Sequence, residues 1–429
     1  MRIVLASIHP QSLSGQITGL RGLAIQLRKI GQRVETVSAV PLSPTPMSTS
    51  RPAPQARKSI VSRALIMVRA LRKLVQDADG ADLVHVNLPT PAFAPVGDLL
   101  QAVLSMPVVV GFDAHLADSA WACRKAVIQD PRFYAPRLLV NNALLARWPS
   151  HRCPRYIVSS DAGRAELSRL GFPRDAVRVL PNVVDLDEQP RLTQTDARRE
   201  LSLPEATLIS YLGHYHHVKG VDVLIEAFAR ILEARDDCRL VLAWSGLGNS
   251  ARIERQIDML GLSERVIRLG CVPAATLFSA ADIVVLPYLS AMGQCMFPAV
   301  LLEAIQVGIP IVTSDLADFR CLFRDGPGAS LVPVGDSEAI AAEVARLIED
   351  GQAREAMAGA QRDLSRSRLN PKRVAQNYLR VYHEACEAHS LGSRRGIRAP
   401  RDQARACQSA AIAAEIPECA SLGDDLEQE

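Results

Sequence analysis

No stretch of this 429-residue chain is an uninterrupted apolar run of membrane-spanning length, so no bilayer-crossing helix is expected. The opening MRIVLASIHP has neither the basic start nor the longer apolar core of a secretory signal. Excess charge of one sign is also missing. The net charge is only +3, too little for a strong nucleic-acid field, although a small basic excess suits phosphorylated substrates or an anionic membrane surface. The nine cysteines are odd in number and none forms a C-x-x-C pair. Scattered thiols fit a reducing cytoplasm better than a disulfide framework. There is no repeat of fixed period. The turn after the first strand carries no G-x-G-x-x-G, which counts against a nicotinamide enzyme. What these absences leave is a cytoplasmic enzyme with ample core, free to touch the inner face of the cell membrane.

What is present is a regular alternation of strand and helix patterns. Strands are expected at 2–7, 33–38, 82–87, 107–112, 156–159 and 177–180, then at 208–212, 239–243, 266–269, 283–287, 309–313 and 329–332. Several are continuous Val/Ile/Leu runs, as in strands covered on both faces. The class is therefore α/β, with two open Rossmann-like domains in tandem. The polar stretch NVVDLDEQPRLTQT at 182–195 separates them. The expected division is 1–184, 185–370, a closing helix at 371–389, and a tail at 390–429. That tail runs from basic to acidic with little apolar periodicity and reads as mostly disordered. Five prolines make 41–54 a loop.

Two segments concentrate the chemistry. ISYLGHYHHVKGVDVLIEAF reads as a strand, a turn with Gly213 and Gly220, and a helix with Lys219 near its start. A cation at a helix N-terminus suits a phosphate. FPAVLLEAIQVGIPIV is an apolar helix holding one carboxylate, Glu303, and such a group needs a polar partner. A nucleotide-sugar offers a diphosphate to the first and ribose hydroxyls to the second.

The second half resembles the retaining GT-B glycosyltransferases of family 4, motif after motif in order. VLPNVVD is similar to V-x-P-N-G-V-D, and YLGHYHHVKGVDVLIEAF to Y-x-G-R-x-x-x-x-K-G-x-x-x-L-I-E-A-F. LVLAWSGLGN, with Gly246, is similar to L-x-I-A-G-x-G. PYLSAMGQCMFPAVLLEAIQVGIPIVTSD is similar to the P-S-x-x-E-x-F-G-x-x-x-L-E-A-x-x-x-G-x-P-V-V-x-S block. The first half resembles the family more loosely, through Gly15 in the turn after the first strand. The resemblance implies two Rossmann-like domains facing an interdomain cleft. It implies a nucleotide-sugar donor on the C-terminal domain, a saccharide or lipid-linked acceptor on the N-terminal one, no metal or other cofactor, and work in cell-surface polysaccharide or glycolipid synthesis. Lys219 would meet the diphosphate and Glu303 the ribose.

The departures from the pattern matter as much. His214 stands where the family has arginine, so donor affinity should weaken above pH ~7, where an unperturbed histidine is neutral. His216 and His217 nearby lack added carboxylate or Cys ligands for a metal. Cys295 stands where the family has the glutamate that meets the donor sugar. Ser290, Gln294 and the backbone N–H groups of Met296 and Phe297 are the candidates left to contact sugar and phosphates. In VVVGFDAHL, Asp113 takes the place of the family's histidine near the transferred sugar, and His115 follows two residues later. Either can contact the sugar or polarise an acceptor hydroxyl, or be an ordinary turn residue. The basic amphipathic helix at 57–75 has Ile60, Ala64, Val68, Leu71 and Val75 on one face; it can pack on its own sheet or dock to anionic lipid. Two other functions stay open: a GT-B sugar-nucleotide epimerase or hydrolase, and a non-catalytic nucleotide-binding module.

Overall fold

The structure is a computed structural model and describes residues 1–8, 15–38, 60–116, 128, 151–186, 192–291 and 295–394. The loop expected at 41–54, Gln294, most of the tail at 390–429 and the first residues of the basic helix lie outside them. Two six-stranded sheets form, and all their pairings are parallel.

The first sheet has the order β2-β1-β3-β4-β5-β6, from β1 (Arg2–Ser7), β2 (Arg33–Ser38), β3 (Leu83–Leu88), β4 (Val108–Phe112), β5 (Arg155–Val158) and β6 (Val177–Val179). The second has the order β12-β11-β10-β7-β8-β9, from β7 (Thr207–Tyr215), β8 (Cys238–Gly248), β9 (Val266–Leu269), β10 (Ile283–Leu286), β11 (Ile311–Ser314) and β12 (Ser330–Val332). Every strand expected from the sequence is present within a few residues. The largest differences are at β7 and β8, which run on past the expected turns to pair Tyr215 with Gly248 after a register shift. In both sheets the order reverses direction once, between β1 and β3 and between β7 and β10. Open α/β sheets place ligands at the carboxyl ends of strands beside such a reversal.

Helices cover both faces. α1 (Gly15–Lys29) lies on one face of the first sheet; α2 (Ile60–Asp77), α3 (Ala94–Val103) and α4 (Asp161–Arg169) lie on the other. Around the second sheet run α5 (Gln194–Glu200), α6 (Val221–Ala234), α7 (Ser250–Met259), α8 (Ala274–Ala280), α9 (Ala299–Val307), α10 (Ala317–Phe323), α11 (Ser337–Glu349) and α12 (Gly351–Ser367). Val183 packs into the core of the first sheet and its neighbour Val184 into the core of the second.

The closing helix α13 (Pro371–Arg394) sends Val374, Ala375, Tyr378, Val381, Tyr382 and Ala385 into the core of the first sheet, although it follows the second in sequence. Polar groups fix it there. Tyr382 Oη lies 2.7 Å from His85 Nδ1, and Glu384 accepts hydrogen bonds from Arg155 and Arg178 at 3.0 and 2.7 Å. Met1–Cys386 forms one compact unit, with Glu387 onward a separate one.

The basic helix departs from expectation. Its buried face is Ala70 and Leu74, with Met67 and Leu71 partly covered, whereas Leu65, Val68 and Val75 are 52%, 46% and 43% exposed. α2 carries two apolar stripes, and the one with Ala70 and Leu74 faces the sheet. No described helix is long and apolar enough to cross a membrane.

Candidate active site

The reversal between β7 and β10 brings the two candidate segments together. β7 leads through a 3-10 turn, His217–Lys219, into α6. Gly220 joins them with φ of 67°, a left-handed conformation, and a Cβ there would lie 1.9 Å from the Pro287 carbonyl oxygen. No other residue tolerates both conditions. Pro287 follows β10 directly, and the Leu289 N–H donates to the Val218 carbonyl at 2.9 Å. The two strand exits are thus fastened on either side of Lys219 and Tyr288. Lys219 Nζ sits 4.7 Å from the centroid of the Tyr288 ring, within cation–π range. Tyr288 is 1% exposed, and Phe319 of α10 packs edge-on against it at 5.6 Å.

Glu303 lies on α9, the helix that leads into β11. Its charge and that of Cys295 both act on the Tyr288 hydroxyl, after burial, and Cys295 also acts on Lys219. Burial lowers the Lys219 pKa to about 8, against the opposing pull of Cys295. Burial alone pushes Glu303 up to about 7. Both side chains are half-buried. An ammonium and a carboxyl, each drawn toward neutrality by burial, thus both act in the neighbourhood of Tyr288, the ammonium over its ring and the carboxyl through its charge on the hydroxyl.

The other donor-side candidates lie on several elements. Gly15 begins α1. Gly213 and Gly246 lie inside the long β7 and β8 rather than in turns. His214 is on β7, with Nδ1 hydrogen-bonded to Ser245 Oγ. His217 turns the other way, with Nδ1 3.3 Å from Arg252 and 3.8 Å from Asp222. Ser290 is buried in the segment after Tyr288, and the Phe297 side chain packs into the core of the second sheet.

Two expectations are corrected at the seam between the sheets. The Met296 N–H, expected to face phosphate, donates to the Asp113 carbonyl at 2.7 Å, and the neighbouring Cys295 pairs with Ala114 in an antiparallel bridge. The Met296 side chain joins the core of the first sheet and fits against Gly163, where a Cβ would meet its sulfur at 2.4 Å. His115, expected at the sugar, instead has Nδ1 2.9 Å from Glu166 of α4 and Nε2 2.9 Å from Asp318 of α10. Ser160 Oγ donates to the other oxygen of Asp318, and the Leu116 N–H donates to Glu166 at 3.0 Å. Burial would lower the His115 pKa, but the hydrogen bonds to Asp318 and Glu166 and their charges outweigh it and hold the pKa up to about 10. With both ring nitrogens engaged, His115 is a clasp between the two sheets. Asp113 differs: it is 4% exposed, its Oδ2 has no hydrogen-bond partner among the described residues, and burial pushes its pKa up to about 7.

Sequence reasoning missed Tyr288, Phe319, Ser160, Glu166 and Asp318. Tyr288 carried a signal, as an aromatic residue directly after a buried strand and Pro287. The clasp carried none, because its members lie as far apart as 203 residues.

Comparison with known proteins now bears on this geometry. The family description "Glycosyltransferase Family 4" matches residues 13–188, and "Glycosyl transferases group 1" matches residues 206–350. A phosphatidyl-myo-inositol mannosyltransferase of Mycobacterium leprae is 32% identical over 257 residues, covering 59% of this chain and 65% of that protein, just under two thirds of its length. An alpha-D-kanosaminyltransferase of Streptomyces kanamyceticus is 26% identical over 338 residues, covering 75% of this chain and 82% of that one. In fold, the chain is similar to sucrose-phosphate synthase of Thermosynechococcus elongatus, with a TM-score of 0.69 and 21% identity over 90% of this chain and 100% of that one. It is also similar to Anabaena HepE in complex with UDP and glucose, with a TM-score of 0.64 and 19% identity over 89% of this chain and 99% of that one. These neighbours share the GT-B architecture of two Rossmann-like domains. Because two glycosyltransferase family models together account for both halves, in the order and over the sheets described above, the chain belongs to the group 1, or family 4, glycosyltransferases.

Proposed function

We propose that this chain transfers a glycosyl group from a nucleoside diphosphate sugar to an acceptor hydroxyl, with retention at the anomeric carbon. The observation that carries the reading is the Lys219 ammonium over the Tyr288 ring at the strand reversal of the second sheet, with the charge of Glu303 acting on the same tyrosine. In this reading Lys219 meets the diphosphate and offsets the negative charge that grows as it leaves. A fixed cation in a partly desolvated site stabilises that charge without reorganising at the moment of reaction. No metal is needed for that step. Glu303 accepts hydrogen bonds from the ribose hydroxyls, which removes the cost of its burial. His214, held by Ser245, is the assisting group on the phosphate side. Asp113, with a free carboxylate oxygen and a pKa raised to about 7, is the group on the first sheet suited to accept a hydrogen bond from the sugar or acceptor.

A lipid-linked acceptor is favoured, which suits a role in cell-surface polysaccharide or glycolipid synthesis. Relatives named for transfer to phosphatidyl-myo-inositol support it, and so does α2, where Leu65, Val68 and Val75 are exposed alongside Arg69 and Arg72. That mixture suits peripheral contact with an anionic membrane surface. The test is a thermal-shift screen of nucleotide-sugars, followed by nucleoside diphosphate release with and without lipid-linked acceptors. A donor that raises Tm and is consumed only with acceptor supports the proposal, and Lys219→Ala should abolish the effect. Donor consumed alone indicates an epimerase or hydrolase; donor bound and never consumed indicates a binding module. Co-sedimentation with vesicles containing anionic lipid, lost in Val68→Asp, checks the membrane contact.

A further inference from the structure

The Tyr288 ring is held with unusual completeness for a residue directly after a strand. Below it, β10 ends at Leu286 and Pro287 is locked against Gly220. Beside it, the edge of Phe319 packs at 5.6 Å and 60°. Above it stands the Lys219 ammonium, 4.7 Å from the centroid. The hydroxyl is acted on by burial and by the charges of Cys295 and Glu303, and among the described residues by no hydrogen bond. The ring therefore stays in place through packing, and its face is directed at the lysine. A π face attracts a cation without neutralising it, so an ammonium resting there keeps its attraction for an anion. Lys219 ends a four-carbon stem with considerable rotamer freedom, and its N–H groups have no fixed fork geometry. A fixed aromatic face restricts that freedom before any ligand arrives.

We propose that Tyr288 is a positioning residue for Lys219: its ring holds the ammonium, charged, where a diphosphate will bind. The inference deepens the donor reading above and rests on it for its catalytic meaning, but the ring–ammonium contact can be tested without any donor. The ring acts against burial, which favours the neutral amine.

Phenylalanine carrying zero to three ring fluorines, installed at position 288, changes the π charge while nearly keeping the shape. Reductive 13C-methylation of the whole protein reports lysine titration by NMR, and the Lys219 resonance is assigned by its absence in Lys219→Arg. The expected result is a Lys219 pKa close to the wild-type value in Tyr288→Phe and a fall with each added fluorine. The alkaline limb of donor affinity should follow it downward. A Lys219 resonance that titrates alike in the unfluorinated and trifluorinated proteins overturns the proposal. If wild-type protein binds no nucleotide-sugar yet the titration series moves, the donor reading fails and the positioning contact stands. If donor binding depends on Lys219 yet the series is flat, the donor reading stands and this inference fails. Tyr288→Leu is the coarser check, expected to lower kcat about tenfold or more with a lowered alkaline limb, which a packing defect alone would not move.

Discussion

At the seam, the imidazole of His115 finds a carboxylate for each nitrogen, and one of those carboxylates also takes a serine hydroxyl. In the crevice at the β7–β10 reversal, nothing but burial shifts Glu303, and a tyrosine ring lies where a partner for Lys219 contributes without neutralising it. Both regions bury ionisable groups, and both lie at the carboxyl ends of strands. The difference separates structure from chemistry. Charges that satisfy one another hold the sheets in register, because breaking such a set leaves an uncompensated buried charge. A carboxyl that burial alone shifts, as it does Glu303, recovers that cost when a ligand donates a hydrogen bond to it. Asp113 and His115 show the contrast within three residues: His115 is saturated, whereas Asp113 keeps an oxygen without a partner among the described residues.

The largest effect that tests this contrast is loss of the crevice cation. Lys219→Ala should lower kcat by about 10²- to 10³-fold, the usual cost of removing one fixed group that stabilises developing negative charge. Its thermal stability should be unchanged or raised, since a partly desolvated ammonium has been removed. Steady-state nucleoside diphosphate release and a melting curve measure both. An unfolded or unchanged enzyme would erase the distinction between the regions.

Asp318→Ala should show the reverse pattern. It strips His115 and Ser160 of a shared buried acceptor, and breaking such a pair costs about 3 kcal/mol. Urea denaturation should record that loss, while donor KM changes little. Ser160→Ala is the milder probe, at about 1 kcal/mol for one hydrogen bond.

Glu303→Gln gives a smaller effect with opposite signs in the two assays. A carboxyl whose folded pKa is raised to about 7 opposes folding at pH 8, so the neutral amide should stabilise the ligand-free protein by about 1 kcal/mol. The same change should weaken nucleotide binding about tenfold, because hydrogen bonds to a charged acceptor are roughly twice as strong as neutral ones. A variant that loses stability instead would place Glu303 with the structural set.

The fold was legible in the sequence because strands covered on both faces appear as continuous Val/Ile/Leu runs, and each was found in place. Lys219 and Glu303 were legible because one lies at a helix start and the other interrupts an apolar helix. His115 was misplaced because its role depends on α10, 203 residues away, and no local pattern announces that contact. Met296 was misplaced for a related reason. Its N–H was assigned to its own loop, but the loop docks into the first sheet, with the sulfur against Gly163. For α2 the period was right and the rotation wrong, since the competition between two apolar stripes is decided by the sheet they meet.

The last effects concern pH, where the two regions should pull stability in opposite directions. The folded pKa of His115 is raised to about 10 from an ordinary value of 6.5. Its contribution is fully present below about pH 6.5 and is lost as pH rises through 10. Between those limits the folded state binds more protons than the unfolded one, so stability falls as pH rises. Lys219 has a folded pKa lowered to about 8 from 10.5. Between those values the unfolded state binds more protons, and the lysine's cost of burial is relieved as pH rises. In wild type the two slopes partly cancel from pH 8 to 10. His115→Gln should leave the rising slope exposed, and Lys219→Met should leave the falling one. Donor affinity offers an independent reading, because only the crevice residue touches it. It should weaken above pH ~7 as His214 loses its charge and fall further through pH 8 with Lys219, and His115→Gln should leave that profile in place. A midpoint that follows His115 would mean that the seam and the crevice titrate as one unit.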